Sequence, residues 1–257
     1  MKDILENIRQ IKTSGKRAAI CIIVATKGSS PRKAGSKMIV FEDRSIDGTI
    51  GGGSLEMKVM EDVPDVIKSG IPKKINYDLE DDLGMHCGGY AEVYIEPILP
   101  DEQLYIFGAG HVGKALAELA SQFAFDIILI DPREEIIKGF GGKSYKIIQQ
   151  DFVNAANDLS FGGNAYIVIT TPKHKYDEDV LAVCAKKPAA YVGMIGSKNK
   201  VALAKKRFLD ENILTQDEID RVDMPIGIKF NAQTPEEIAV SILAKLIDVK
   251  NSKKGNG

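Results

Sequence analysis

The sequence has no tryptophan, three cysteines and three histidines among 257 residues, and aromatics make up only 7%. Each scarcity narrows the chemistry. Cys21, Cys87 and Cys184 are odd in number and far apart. That speaks against a disulfide framework and offers no pair at zinc-ligand spacing, so no metal site is expected. Free thiols and a cytoplasmic location are the simplest reading. No apolar run approaches the ~18 residues that a membrane span needs. The opening "MKDILENIRQIKTSGKR" has the pattern of an amphipathic helix and lacks the apolar centre of a signal peptide. Net charge is −2 and pI ≈ 6.0, without the basic stripe of a nucleic-acid binder. What remains is a soluble, globular composition, 44% hydrophobic and 27% charged, on a chain long enough for one large domain or two small ones.

Two halves of different character follow. Residues 1–99 read as a smaller α+β domain. "AAICIIVAT" (18–26) is a continuous apolar run, as expected of a buried strand. "SKMIVFED" (36–43) reads as a second strand, and the Asp47-Gly48 pair is a turn signal. A helix is expected over 55–68, with Ser54 as its N-cap. "AEVYIEPIL" (91–99) alternates as a strand does, and "EPILPDEQ" suits a linker.

Residues 102–250 read as a Rossmann-like domain. Apolar strand runs at 104–107, 145–148, 165–170 and 189–194 alternate with helical stretches, the pattern of a doubly wound parallel sheet. Helices are expected at 216–221 and 235–249. The second opens on Thr234, Pro235 and Glu237, a strong start signal.

Gly108, Gly110 and Gly113 form G-x-G-x-x-G between a strand and a helix, and Asp131 ends the next strand run. In such a turn the first glycine permits the tight bend, the second admits a pyrophosphate to the backbone, and the third lets helix pack on strand. The helix N-terminus supplies free N–H groups, and Asp131 could accept ribose hydroxyls. His111, at the helix start, is either a phosphate contact or a solvent-facing side chain. A Rossmann turn without a nucleotide is the competing reading.

In the first half, Gly52-Gly53-Ser54-Leu55-Glu56 and Gly88-Gly89-Tyr90-Ala91-Glu92 share the form Gly-Gly-x-x-Glu. Glycine pairs allow positive φ and close backbone approach. The loop with Ser29, Ser30 and Arg32 is either an anion contact or a solvated turn. Cys87 lies between His86 and two glycines. Adjacent side chains rarely form a Cys–His pair, which leaves thiolate chemistry or a small buried residue. Cys21 and Cys184 sit in apolar contexts and read as core.

The segments "ATKGSSPRKAGSKMIV", "GTIGGGSLE", "GMHCGGYAEVYIEP", "YIFGAGHVGKALAELA", "YVGMIGSKNKV" and "MPIGIKFNAQTPEEIAVSILAKLI" occur in the order seen in XdhC/CoxI-type proteins, which the chain resembles from about residue 18 to 249. These are accessory factors for xanthine dehydrogenase and carbon monoxide dehydrogenase maturation. The resemblance implies a chaperone, more than a turnover enzyme, that binds molybdenum cofactor (molybdopterin or a dinucleotide form of it) and supports its sulfuration and insertion. It implies an apo-molybdenum hydroxylase and a cysteine desulfurase as partners, and pairing into a homodimer. Gly52, Gly53, Glu56, Gly88 and Gly89 would then line a cofactor site, with Cys87 as the sulfur or molybdenum contact. Gly196 and Ser197, which open a helix beside Lys198, give a second anion site or a plain β–α turn. Many relatives carry cysteine where this chain has Ser54, so a two-cysteine mechanism cannot run here. An NAD(P)-dependent oxidoreductase is the alternative, with loop residue His174 as its one proton-donor candidate. A nucleotide-sensing module is a third.

Overall fold

The computed structural model describes residues 4–28, 32–78, 89–140 and 145–252. The chain divides into two compact units between Pro100 and Asp101.

The first unit is a five-stranded antiparallel sheet with order β3-β2-β1-β5-β4. Its strands are β1 (Ala18–Lys27), β2 (Lys37–Phe41), β3 (Ile46–Gly48), β4 (Lys73–Asp78) and β5 (Tyr90–Ile98). Two helices join them, α1 (Ile4–Thr13) and α2 (Gly53–Ser69). Side chains alternate across a strand, so β1 can serve two cores at once. Ala19, Cys21 and Ile23 pack with Leu55, Val59, Val63 and Val66 of α2. Ala18 and Ile20 pack with Ile4, Ile8 and Ile11 of α1. This is why β1 is written as an unbroken apolar run. The Asp47-Gly48 pair is not a turn: it lies in β3, with Gly48 opposite Met38. The turn falls at Asp43-Arg44, where Asp43 Oδ1 accepts the Ser45 backbone N–H at 2.9 Å and Arg44 adopts φ +65°.

The second unit is a six-stranded parallel sheet with order β11-β10-β9-β6-β7-β8. Its strands are β6 (Gln103–Phe107), β7 (Asp126–Ile130), β8 (Lys146–Ile148), β9 (Ala165–Ile169), β10 (Tyr191–Met194) and β11 (Val222–Asp223). Helices α3 (His111–Ala120) and α9 (Pro235–Ser252) cover one face, on Leu104, Ile106, Leu129 and Val168. Helices α5 (Phe152–Asp158), α6 (His174–Cys184) and α7 (Lys198–Asp210) cover the other, on Phe107, Ile130, Ile167 and Ile169. Short α4 (Glu134–Ile137) and α8 (Gln216–Asp220) complete the unit. The predicted cap of α9 forms: Thr234 Oγ1 accepts the Glu237 N–H at 3.2 Å, and Glu237 Oε2 accepts the Thr234 N–H at 3.1 Å. From β6 the chain winds outward through β7 and β8, then returns to β9 and winds the other way. The order therefore reverses between β6 and β9, and the crevice at their carboxyl ends is where ligands of such sheets bind.

Candidate functional site

Each fingerprint glycine has its own geometric reason. Gly108 has φ +105°, and a Cβ there would sit 2.3 Å from Thr170 O. A Cβ on Gly113 would sit 1.9 Å from Gly108 O, so helix and turn touch through bare backbone. Around Gly110 nothing lies within 4 Å of the place a Cβ would occupy. Gly110 is also the N-cap of α3, and no side chain caps that helix. The cap thus leaves the first-turn N–H groups without a side-chain acceptor of its own, an arrangement that can receive a phosphate. His111 is exposed at the first helical position.

Asp131 follows β7 and is fully buried. Its Oδ2 accepts the Ala109 N–H at 2.9 Å and Arg133 Nη2 at 2.7 Å. Its Oδ1 accepts the Arg133 backbone N–H at 3.0 Å and Nε at 2.8 Å. A carboxylate offers about four acceptor sites, and all are taken. Burial pushes this carboxyl's pKa up, but the bonds from Arg133 and Ala109 outweigh it and hold it below the usual range. Asp131 therefore pins the glycine turn to the end of β7. Arg133 belongs to no motif of the sequence, and its only signal there is "DPRE", which places it two residues after the aspartate.

The loop after β9 carries a second network. Thr170 Oγ1 donates to Gly108 O at 3.2 Å, joining the two loops of the crevice. Asp177, on α6, accepts both the N–H and the hydroxyl of Thr171. His174 is not a free loop histidine. It is the first residue of α6, with Nε2 3.0 Å from Glu178 Oε1. Arg207 Nη2 of α7 lies 2.6 Å from Glu178 Oε2. The acidic and basic residues of "KHKYDED" carried this signal, but only the α6–α7 packing brings Arg207 to them.

At the end of β10, Ser197 caps α7 by accepting the Lys200 N–H at 3.4 Å, and both Ser197 and Lys198 are exposed. Gly196 precedes them. A cleft of about 590 Å³ opens here, lined by Ser197, Lys198, Ile228, Phe230 and Asn231 among others. Asp223 Oδ2 fixes its far wall, accepting the Tyr191 hydroxyl at 2.6 Å and the Gly227 N–H at 2.9 Å.

In the first unit, Gly51, Gly52 and Gly53 have φ of +137°, +76° and +63°. Glu56 holds this loop: its Oε1 accepts the Thr49 hydroxyl at 2.6 Å, the Gly52 N–H at 2.9 Å and the Ile50 N–H at 3.0 Å. Burial raises the Glu56 pKa, but these bonds prevail and lower it overall. Ser54 is not the N-cap; Gly52 is, because α2 begins at Gly53. The two Gly-Gly-x-x-Glu segments are not equivalent either. The first enters a helix and its glutamate turns back on the loop. The second enters β5, where Glu92 pairs with Lys74 at 2.9 Å. Gly89 is buried just before that strand. Cys87, Gly88, Ser29 and Ser30 lie outside the described residues. Cys21 and Cys184 are fully buried, and burial pushes both thiols up to about 12. Among the described residues no histidine, cysteine or carboxylate cluster could hold a metal, and no helix is long and apolar enough to cross a membrane.

An antiparallel α+β unit followed by a Rossmann unit with a G-x-G-x-x-G turn between β6 and α3 defines the class. Residues 104–246 match the XdhC Rossmann domain, and residues 12–78 match the XdhC and CoxI family. The chain belongs to the XdhC/CoxI family. It is 31% identical over 243 residues to the uncharacterized protein YqeB of Escherichia coli K12, covering 92% of this chain and 44% of that one. It is 26% identical over 166 residues to a probable xanthine dehydrogenase subunit from Bacillus subtilis, covering 64% and 48%. The chain thus spans about half the length of these curated relatives. A crystal structure described as a xanthine dehydrogenase from Bacillus halodurans aligns with TM-score 0.54 at 23% identity, covering 98% of this chain and 96% of that one; this likeness speaks for the fold.

Proposed function

We propose that this chain is an accessory factor for a molybdenum hydroxylase of the xanthine or carbon monoxide dehydrogenase type. In this reading it binds molybdenum cofactor and supports its sulfuration and insertion. The observation that carries the proposal is the family match to both units, joined to a turn whose α3 N-terminus is left open. The cofactor ends in a phosphate or a nucleotide pyrophosphate, and Gly108, Gly110 and Gly113 with the first N–H groups of α3 suit that end. Gly196 and Ser197 at α7 offer a second anion contact. When bound, the cofactor supplies the molybdenum centre that is to be sulfurated. Cys87 is the thiol proposed to contact sulfur or molybdenum, because Cys21 and Cys184 are buried in the cores, where burial raises the pKa of both thiols. An apo-hydroxylase, a cysteine desulfurase and a second copy of this chain are the proposed partners.

The alternative, an NAD(P)-dependent oxidoreductase, draws on the same turn. One experiment separates them. The protein is purified anaerobically from a molybdate-fed host, assayed for molybdenum and for fluorescent pterin oxidation products, and titrated with NAD and NADP. Stoichiometric molybdenum and pterin support the accessory role. Their absence alongside tight nicotinamide binding and hydride transfer overturns it. Cys87→Ser should lower cofactor retention or sulfuration more than Cys21→Ser; equal values remove Cys87 from the proposal.

A further inference from the structure

We propose that Arg133, rather than Asp131, reads the ligand at the end of β7, and that it reads a phosphate. The proposal rests on Gly108–Gly113 being a phosphate turn. In a dinucleotide fold the acidic residue at this corner takes up ribose hydroxyls, which requires a free carboxylate oxygen. Here both oxygens of Asp131 are filled by Ala109 and Arg133, and the carboxylate is buried. A ribose diol must displace Arg133 to reach it, breaking a two-pronged ion pair and leaving a buried charge short of partners.

What the corner presents instead is guanidinium. Arg133 spends Nε–H and one Nη2–H on Asp131, and its side chain is 32% exposed. Of the five N–H donors of an arginine, the remaining three have no acceptor among the described residues. The guanidinium shares the Asp131 carboxylate with Ala109 of the turn. An acceptor-only, doubly charged oxygen group meets such cationic donors with charge-assisted bonds, whereas a hydroxyl pair accepts them without charge and brings O–H donors that find no acceptor on a guanidinium. Glu135 is the opposing group: it is exposed in the first turn of α4 and interacts electrostatically with Arg133. Glu134 is engaged with Lys138 at 2.9 Å. The favoured ligand carries a phosphate beyond the one held by α3. That phosphate is either an ester on the ribose or the free end of a pyrophosphate.

Calorimetric titration of the full chain with AMP, ADP and adenosine 2′,5′-bisphosphate tests this. At least one of the latter two should bind about tenfold or more tightly than AMP, the worth of one or two charge-assisted bonds. Which of them does so tells ester from free end. Arg133→Gln should remove the advantage and leave AMP unchanged, Arg133→Lys should keep part of it, and Glu135→Gln should enlarge it. If Arg133→Gln unfolds because Asp131 loses its partner, Asp131→Asn with Arg133→Gln removes both charges and carries the same expectation. AMP binding as tightly as both probes, or an advantage that survives loss of Arg133, overturns the inference and leaves the phosphate turn standing. Failure of all three probes to bind overturns the turn reading, and the inference with it.

Discussion

Asp177 Oδ1 accepts both the backbone N–H and the hydroxyl of Thr171, at 2.8 and 2.7 Å, and so closes the loop after β9 onto the first turn of α6. Burial raises the Asp177 pKa to about 6; the Thr171 bonds and Lys200 oppose this, and Glu178 adds to it. His174 Nδ1 also lies 3.9 Å from Asp177 Oδ2. Between about pH 4 and pH 6 the folded state holds this proton and the unfolded state does not. Stability from this group therefore falls as pH rises through that window, by at most about 3 kcal/mol. Asp177→Asn keeps an acceptor for Thr171 and cannot ionise. Its melting temperature relative to wild type should rise steadily from about pH 4 to pH 7. A difference independent of pH would show that Asp177 does not titrate in this range.

Gly110 and Gly113 should separate binding from folding. Gly110→Ala adds a methyl group to open space at an ordinary φ of −67°. It should cost about 1 kcal/mol or less yet weaken pyrophosphate binding severely. Gly113→Ala drives a Cβ to 1.9 Å from Gly108 O, and should cost about 3 kcal/mol or more. Paired melting curves and titrations read both effects.

Glu56→Ala should release the loop over 49–53. Amide exchange at Ile50 and Gly52 should quicken roughly tenfold or more, from the loss of bonds to a charged acceptor. Buried amides of α2 should be unaffected. Glu56→Gln retains an acceptor oxygen and should restore much of the protection.

Thiol reactivity should follow burial. In a Cys87→Ser background the native chain should leave Cys21 and Cys184 unlabelled by a disulfide reagent at mildly alkaline pH. Both should react after unfolding in guanidinium. Rapid native labelling of either would contradict the packing of β1 against α2 or of α6 against its sheet.

Much of this architecture could be read from residue order. The fingerprint was legible because its glycines sit between an apolar strand and an amphipathic helix, where each is needed for contact or curvature. α9 was legible because Thr234, Pro235 and Glu237 satisfy its first N–H groups locally. β4 escaped notice because it is an edge strand: Lys73 and Lys74 are exposed and only Tyr77 is buried, so the alternation is faint. The carboxylates were the hardest to read. Asp131, Glu56 and Asp177 each accept backbone N–H groups in a nearby loop, and Glu92 answers a lysine across a strand. Composition alone does not tell a carboxylate that shapes a loop from one that meets a ligand. The distinction depends on which N–H groups the folded loop turns inward.

The grip of Glu56 on the loop before α2 has a consequence for the residue lying between them. The loop's curvature is dictated from a full helical turn downstream, by a side chain acting on main-chain N–H groups and one threonine hydroxyl. Ser54 takes no part in that grip. Its position is a chemically interchangeable seat on a scaffold whose shape is set elsewhere, and a hydroxyl or a thiol can occupy it without the backbone registering the exchange.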